Sequence, residues 1–116
     1  MEHLEKVERP WGRYYVIHNQ ENYKIKRIEV EPGQRLSYQF HKKRSETWVI
    51  VKGNGVVIID EKQQNVSEGK TILIPKKSRH RIENISGTQL VFIEVQTGTY
   101  FGEDDIVRLS DDYNRS

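Results

Sequence analysis

Four residues with metal-binding side-chain atoms, Gln39, His41, Glu46 and His80, fall at spacings that suit adjacent strands. Gln39 and His41 are two apart, so on a strand they point to the same face. The basic polar run Lys42-Lys43-Arg44-Ser45 reads as a turn, after which Glu46 opens a second apolar strand through Trp48-Val49-Ile50-Val51. Such a turn returns Glu46 to the side of Gln39 and His41. A later strand starts after Gly69, is stopped by Pro75 and leads to His80. If it lines the same interior, two imidazoles, one carboxylate and one amide oxygen form a seat for one divalent metal ion. The donor set suits Zn, Mn, Co, Fe or Ni and does not by itself choose among them. His3 and His18 lie outside the pattern and read as surface residues.

The elements that must position these groups are short, apolar, β-branched segments separated by Gly, Pro, Asn and Ser, the pattern of an all-β sandwich or barrel. Strands are expected over 13–17, 23–30, 35–41, 47–51, 56–60, 71–74, 79–83 and 90–96, with a short edge at 65–67. Residues 61–64 read as a turn, and Gly53-Asn54-Gly55 is the clearest hairpin turn, because glycine and asparagine tolerate positive φ. One domain over 1–116 is expected, with an arm at 1–9, a barrel at 10–98 and a tail at 99–116. Glu103-Asp104-Asp105 in the tail reads either as one helical turn or as a solvated run.

Side-chain parity adds candidates. Arg35, Ser37, Gln39 and His41 share one face of the third strand, and a polar face aimed inward is expensive unless it meets a metal, ligand or partner. Lys26 shares a face with Ile28 and Val30, so it either points inward or snorkels out at the strand end. Glu94 sits in register with Leu90 and Phe92, either as a site residue or as a structural acid paired with a cation.

Composition bounds the rest. The 116 residues are 34% hydrophobic, which makes for a lean core, and contain no cysteine. There is therefore no disulfide framework and no thiolate ligand, which is compatible with a reducing cytoplasm, the expected location. The N-terminus lacks an apolar signal segment and no apolar run approaches the ~18 residues of a membrane span. A net charge of +2 is weaker than a nucleic-acid reader would carry, so neither nucleic acid nor membrane is expected as a partner. The Lys and Arg clusters at 24–27, 42–44 and 76–81 read either as solvated turns or as cations that meet an anionic substrate group.

The first stretch resembles the first cupin motif. Gly33, five residues, Gln39, one residue, His41, four residues, Glu46, six residues and Gly53 occupy its places, with Gln39 where the general pattern has His. The second is similar to the second cupin motif: Gly69, five residues, Pro75, then His80, three residues and Asn84, with Lys77 where Gly is usual. A narrower likeness runs through Arg9-Pro10-Trp11-Gly12, Tyr23 to Ile28, Pro32 to Ser37, Ile93 to Gly98 and Gly102 to Arg108. In that order these segments resemble the type II mannose-6-phosphate isomerases, often the C-terminal cupin part of a bifunctional mannose-1-phosphate guanylyltransferase. Gln39 fits this subgroup and the Gln, His, Glu, His zinc set of the type I phosphomannose isomerases, a likeness that puts zinc first among the metals. No glycine-rich nucleotide loop precedes Arg9, so the guanylyltransferase activity is not carried over.

The resemblance implies a single-domain antiparallel cupin, or jelly-roll, β-barrel that pairs as a homodimer. It implies a metal-dependent aldose-ketose isomerase interconverting mannose 6-phosphate and fructose 6-phosphate, for GDP-mannose and polysaccharide synthesis. Such a reaction needs a Lewis acid at the sugar oxygens, a base for the C2 proton and a cationic phosphate pocket. Parity and the likeness together make Glu94 the first base and Lys26 the second. They assign phosphate to Arg35, with Lys24, Arg27 or Arg81 as helpers. Trp48 and Trp11 are either barrel-end packing or a sugar platform, Tyr14 and Tyr38 are similar, and Asn84 locks the turn after His80. The alternatives are a non-catalytic sugar-phosphate-binding cupin module, a partner subunit of a separate guanylyltransferase, or another cupin enzyme such as an epimerase or dioxygenase.

Overall fold

The computed structural model describes residues 2–113; residue 1 of the expected arm and residues 114–116 of the expected tail lie outside the described residues. In chain order the strands are β1 (Glu5–Arg9), β2 (Gly12–Asn19), β3 (Tyr23–Val30), β4 (Tyr38–Phe40), β5 (Arg44–Lys52), β6 (Gly55–Ile59), β7 (Lys62–Val66), β8 (Thr71–Ile74), β9 (His80–Glu83), β10 (Leu90–Gly98) and β11 (Val107–Ser110). A single 3-10 turn, Glu103–Asp105, precedes β11. All named pairings are antiparallel, in two sheets ordered β1-β2-β3-β10-β5-β8 and β11-β4-β9-β6-β7. This is the expected antiparallel cupin jelly roll, built as two facing sheets that hydrogen bonding does not close into a continuous barrel. No helix among the described residues is long and apolar enough to cross a membrane.

The alternation along β5 shows why the sheets face each other. Arg44, Glu46, Trp48 and Ile50 are buried while Ser45, Thr47 and Val49 are half-exposed, the period of two that hides one face of a strand. The apolar inward residues Trp48, Ile50 and Phe92 of the first sheet pack with Val57 and Ile82 of the second in one core. In the first sheet the cross-strand rows are chemically sorted. Ile28, Phe92 and Ile50 form an apolar row across β3, β10 and β5, next to the row Lys26, Glu94 and Trp48 and then the row Lys24, Gln96 and Glu46. The core therefore grades from apolar to polar along the strands, and the polar end is where chemistry can be housed.

Several boundaries differ from expectation. β4 covers only Tyr38–Phe40, because Leu36 bonds to the Ile82 carbonyl and Arg35 makes only an isolated bridge to Glu83. The parity that put Arg35 on the face of Gln39 and His41 requires an unbroken strand, so it fails there. β5 starts at Arg44, which makes the turn after His41 shorter than the run 42–45. Asp60 and Glu61, with φ of 47° and 73°, make a two-residue hairpin between the paired Ile59 and Lys62. Positive φ at both centres is the type I′ geometry usually filled by Asn-Gly; the turn expected at 61–64 is therefore tighter and earlier, and residues 62–64 belong to β7. Within the expected arm, β1 is an edge strand on β2, and within the expected tail, β11 pairs with β4.

Gly98 lies opposite Arg44 in the β10–β5 register, with φ of 152°. A Cβ there would collide with the Lys43 carbonyl oxygen and lie 2.9 Å from Arg44 Cα. Gly98→Ala is expected to lower unfolding free energy by more than about 2 kcal/mol. Gly87→Ala, where a Cβ meets nothing within 4 Å, is the near-neutral control. Urea denaturation of the two variants checks this; equal midpoints would contradict the close approach.

Candidate metal centre

β4, β5 and β9 bring His41, Glu46 and His80 together, each buried, with one potential ligand atom apiece lying within 4.8 Å of the others. His41 Nε2 is 3.2 Å from Glu46 Oε2, and His80 Nε2 is 3.9 Å from Glu46 Oε1. Gln39 is the Cα partner of His80 across β4 and β9 and lines the same cavity. Its Nε2 donates weakly to the Ser37 carbonyl at 3.5 Å, which turns the amide oxygen into the atom available to a cation. Trp48, Tyr14, Trp11, Lys26, Arg44, Glu94 and Glu103 also border this cavity of about 50 Å³.

The second ring nitrogens explain how the imidazoles are aimed. His41 Nδ1 lies 3.1 Å from the Asp105 carbonyl oxygen and His80 Nδ1 lies 2.9 Å from the Ser78 carbonyl oxygen. A carbonyl can only accept, so Nδ1 carries the proton in both rings and each neutral ring turns an Nε2 lone pair inward. Burial lowers the pKa of His41 to about 3, with the Arg44 charge and His80 adding to the effect. Burial also lowers His80 to about 4, against the Ser78 carbonyl, which favours the charged form. The close His41–Glu46 contact is therefore not an ion pair at neutral pH: a bare nitrogen lone pair faces a carboxylate oxygen. Two acceptors in contact are stabilised by a cation between them, and this is the observation on which the residues fit a divalent metal. Glu46 is steadied from behind by Trp48 Nε1, which donates to Oε1 at 3.0 Å, and by Arg44 Nε, which donates to Oε2 at 3.0 Å.

Glu94 is 4% exposed, and burial, followed by the Glu46 charge, raises its carboxyl pKa well above the ordinary carboxylate range. Gln96 Nε2 donates to both acids, at 3.2 Å to Glu94 and 3.4 Å to Glu46. Lys26 does point inward and is 3% exposed. Trp48 borders the cavity but also packs as core, with its ring 4.7 Å from Phe92 and 5.7 Å from His80. Asn84 is fully buried and ties the loop after β9 to the carbonyls of Val30 and Thr88.

The guanidinium groups expected to take phosphate are dispersed instead. Arg35 is bidentate to Asp112, at 2.8 and 2.9 Å, outside the cavity. Arg27 lies on the outer face of β3 and donates to Glu29 at 2.9 Å, because residue parity alternates from Lys26. Arg81 likewise alternates from His80 and spends its donors on the Leu36 and Ser110 carbonyls. Lys24 shares the inward parity of Lys26 but does not line the cavity; burial, then the Lys26 charge, lowers its pKa.

Sequence reading missed Arg44, Glu103 and Asp105. Arg44 is 3% exposed, although its neighbours Lys42 and Lys43 made it look like one more turn cation. Asp105 is buried: its carboxylate accepts from the Lys42 and Lys43 amides at 3.2 and 2.9 Å, while its carbonyl orients His41. The signal that could have found Arg44 is its two-residue offset from Glu46, which places both on one strand face.

In the metal-free protein the folded state holds both imidazoles neutral, whereas the unfolded chain protonates them near the ordinary 6.5. Their contribution is whole above that pH and is lost as pH falls toward 4, by about 1.4 kcal/mol per pH unit for each histidine. Glu94 acts in the opposite sense above its ordinary 4.5, since the folded state keeps its proton longer, but one acid offsets only one of two imidazoles. Denaturant midpoints at pH 7 and pH 5, measured with chelator, are expected to fall with acid; no change would contradict the buried neutral pair.

The mannose-1-phosphate guanylyltransferase of Escherichia coli strain K12 is 44% identical over 110 residues, which are 95% of this chain and 23% of that protein. The alginate biosynthesis protein AlgA of Pseudomonas aeruginosa is 43% identical over 111 residues, 96% of this chain and 23% of that protein. The chain thus spans about a quarter of the length of these curated relatives. The capsular polysaccharide assembling protein CapF from Staphylococcus aureus shares the fold, with a TM-score of 0.82 at 22% identity over 95% of this chain and 33% of that one. Residues 1–111 match the family described as mannose-6-phosphate isomerase C-terminal, and the chain belongs to that family.

Proposed function

We propose that this chain interconverts mannose 6-phosphate and fructose 6-phosphate with one divalent metal ion held by Gln39, His41, Glu46 and His80. The observation that carries the reading is the single cavity in which these four residues meet a buried Glu94 whose carboxyl pKa is raised, in a chain of the mannose-6-phosphate isomerase C-terminal family. The metal, when bound, supplies a Lewis acid for the sugar's carbonyl and hydroxyl oxygens. Glu94 in its ionised form removes the C2 proton and returns it at C1, while the O2 hydroxyl proton passes to O1, a task for which a carboxyl pKa shifted toward neutrality is suited. Lys26, whose ammonium donates to Glu103 at 3.1 Å, is a cation and suits an anionic group of the substrate rather than proton removal. Trp48 and Trp11 wall the cavity and exclude water from the proton in transit. The names of the two relatives, one for mannose 1-phosphate and one for alginate, support a role in supplying mannose for GDP-mannose and polysaccharide. We assign the working form to a cytoplasmic homodimer, in keeping with the absence of cysteine and the lean core.

A second reading, a sugar-phosphate-binding module that serves a guanylyltransferase, is favoured by the quarter-length match to the relatives. A coupled assay of mannose 6-phosphate conversion separates the two, run with chelator and then with Zn, Mn or Co restored. Turnover is expected to follow the metal and to vanish in His41→Ala and His80→Ala. Glu94→Gln is expected to lower kcat by roughly 10²- to 10⁴-fold with KM little changed, the range for a lost general base. A protein that binds the sugar phosphate but turns none over with any metal overturns the isomerase and leaves the binding module.

A further inference from the structure

The cavity of about 50 Å³ is too small for a hexose phosphate, and Glu103 is among the side chains that line it. Glu103 lies at its border with three cations converging on one carboxylate. Lys26 Nζ is 3.1 Å from Oε2, Arg44 Nη1 is 3.9 Å from Oε2, and Arg9 Nη2 is 4.0 Å from Oε1. The cations stand on separate strands, β1, β3 and β5. Tyr14 backs two of them, with Lys26 Nζ 4.2 Å and Arg9 5.4 Å from its ring centroid. Three separate strands therefore bring cations to one recess, with Arg44 shared between Glu46 and Glu103, and the expected phosphate ligands Arg35, Arg27 and Arg81 do not reach it.

Burial differs across this cluster. The side chains of Lys26 and Arg44 are 4% and 3% exposed, whereas that of Glu103 is 35% exposed. Burial alone would raise Glu103, yet the Lys26 and Arg44 charges win and hold it ionised. The backbone on either side is tied down, at Gly102 by Arg44 Nη1 at 3.4 Å and at Asp105 by the Lys42 and Lys43 amides. Glu103 can consequently leave by rotating its own side chain into solvent, without disturbing the strands that hold the cations. A phosphomonoester brings close to two charges and three acceptor oxygens to the same donors, where the carboxylate offers one charge and two oxygens.

We propose that Arg9, Lys26 and Arg44 form the subsite for the phosphate of a phosphomonoester, and that Glu103 occupies it as an internal stand-in which the ligand displaces. The identity of that ligand as a sugar phosphate rests on the function proposed above; the anion site itself does not. Glu103 then sets affinity by competing with the substrate, and keeps the buried cations paired when no ligand is present.

Calorimetric titration of the full chain with inorganic phosphate, at equal metal content and low salt, tests this. Glu103→Gln is expected to bind phosphate at least tenfold more tightly than the unmodified protein, and to gain nothing toward mannose, which has no phosphate. Arg9→Gln is expected to weaken phosphate several-fold; it is the second arm should Glu103→Gln fail to fold, as thermal unfolding would reveal. Unchanged or weaker phosphate binding in Glu103→Gln, or unchanged binding in Arg9→Gln, overturns the subsite. Tighter phosphate without any turnover of mannose 6-phosphate leaves the subsite standing and removes the isomerase. Metal-dependent turnover with phosphate binding indifferent to both variants does the reverse.

Discussion

Charges taken inside a β-sandwich must bring their partners with them, and the interior of this protein is arranged around that constraint. An unpaired buried ion is costly, while a paired and hydrogen-bonded one is tolerated at little net gain. The protein pairs them in a chain: Arg44 holds Glu46 from behind, Lys26 and Arg44 meet Glu103, and Gln96 joins Glu46 to Glu94. One contact in the set stays unresolved by protein alone, the lone pair of His41 against the Glu46 carboxylate. A site left with two facing acceptors is a site prepared for a cation. The same packing that keeps the imidazoles neutral also keeps them in the form that binds metal.

The fold meets this constraint by separating its two tasks along the strands. Rows such as Ile28, Phe92 and Ile50 form the dry part of the core, and the polar rows lie beyond them at one end. Strand pairing moves in steps of two residues on each face, so the transition from apolar to polar needs no break in the sheet. Trp48 sits at the junction, its ring packed on Phe92 at a tilt of 38° and its indole hydrogen donated to Glu46. Its two halves match the two environments it divides.

The segment after β10 carries more of the site than its composition suggests. Its 3-10 turn delivers Asp105 to the loop before β5 and to His41, and Glu103 to the cations, while β11 closes over β4. A run of three acidic residues usually signifies a solvated surface. Here two of the three are drawn inward by amide donors and by the buried cations Lys26 and Arg44, so the acid run and the basic run are counterparts separated by some sixty residues.

The sequence by itself determined the all-β class, much of the strand pattern and the shared face of Glu94 with Leu90 and Phe92, while it left Lys26 between pointing inward and snorkelling out. Each follows from local rules, the period of two and the positions of Gly and Pro, which hold wherever a strand is continuous. The spacing of Gln39, His41 and Glu46 carried the same information, although the short loop between β4 and β5 is not a hairpin: it passes the chain to the facing sheet, so the three meet across the interior. Tertiary structure decided which of the candidate cations enter the cavity, apart from Arg44, whose offset from Glu46 already placed it on the same strand face. Arg35 left it because a break in pairing cancelled its parity, and Arg9 and Glu103 entered it because β1 and the tail meet there. Contacts between residues such as Lys26 and Glu103 depend on how sheets pack and on which charge lacks a partner, and neither is written in the spacing of one segment.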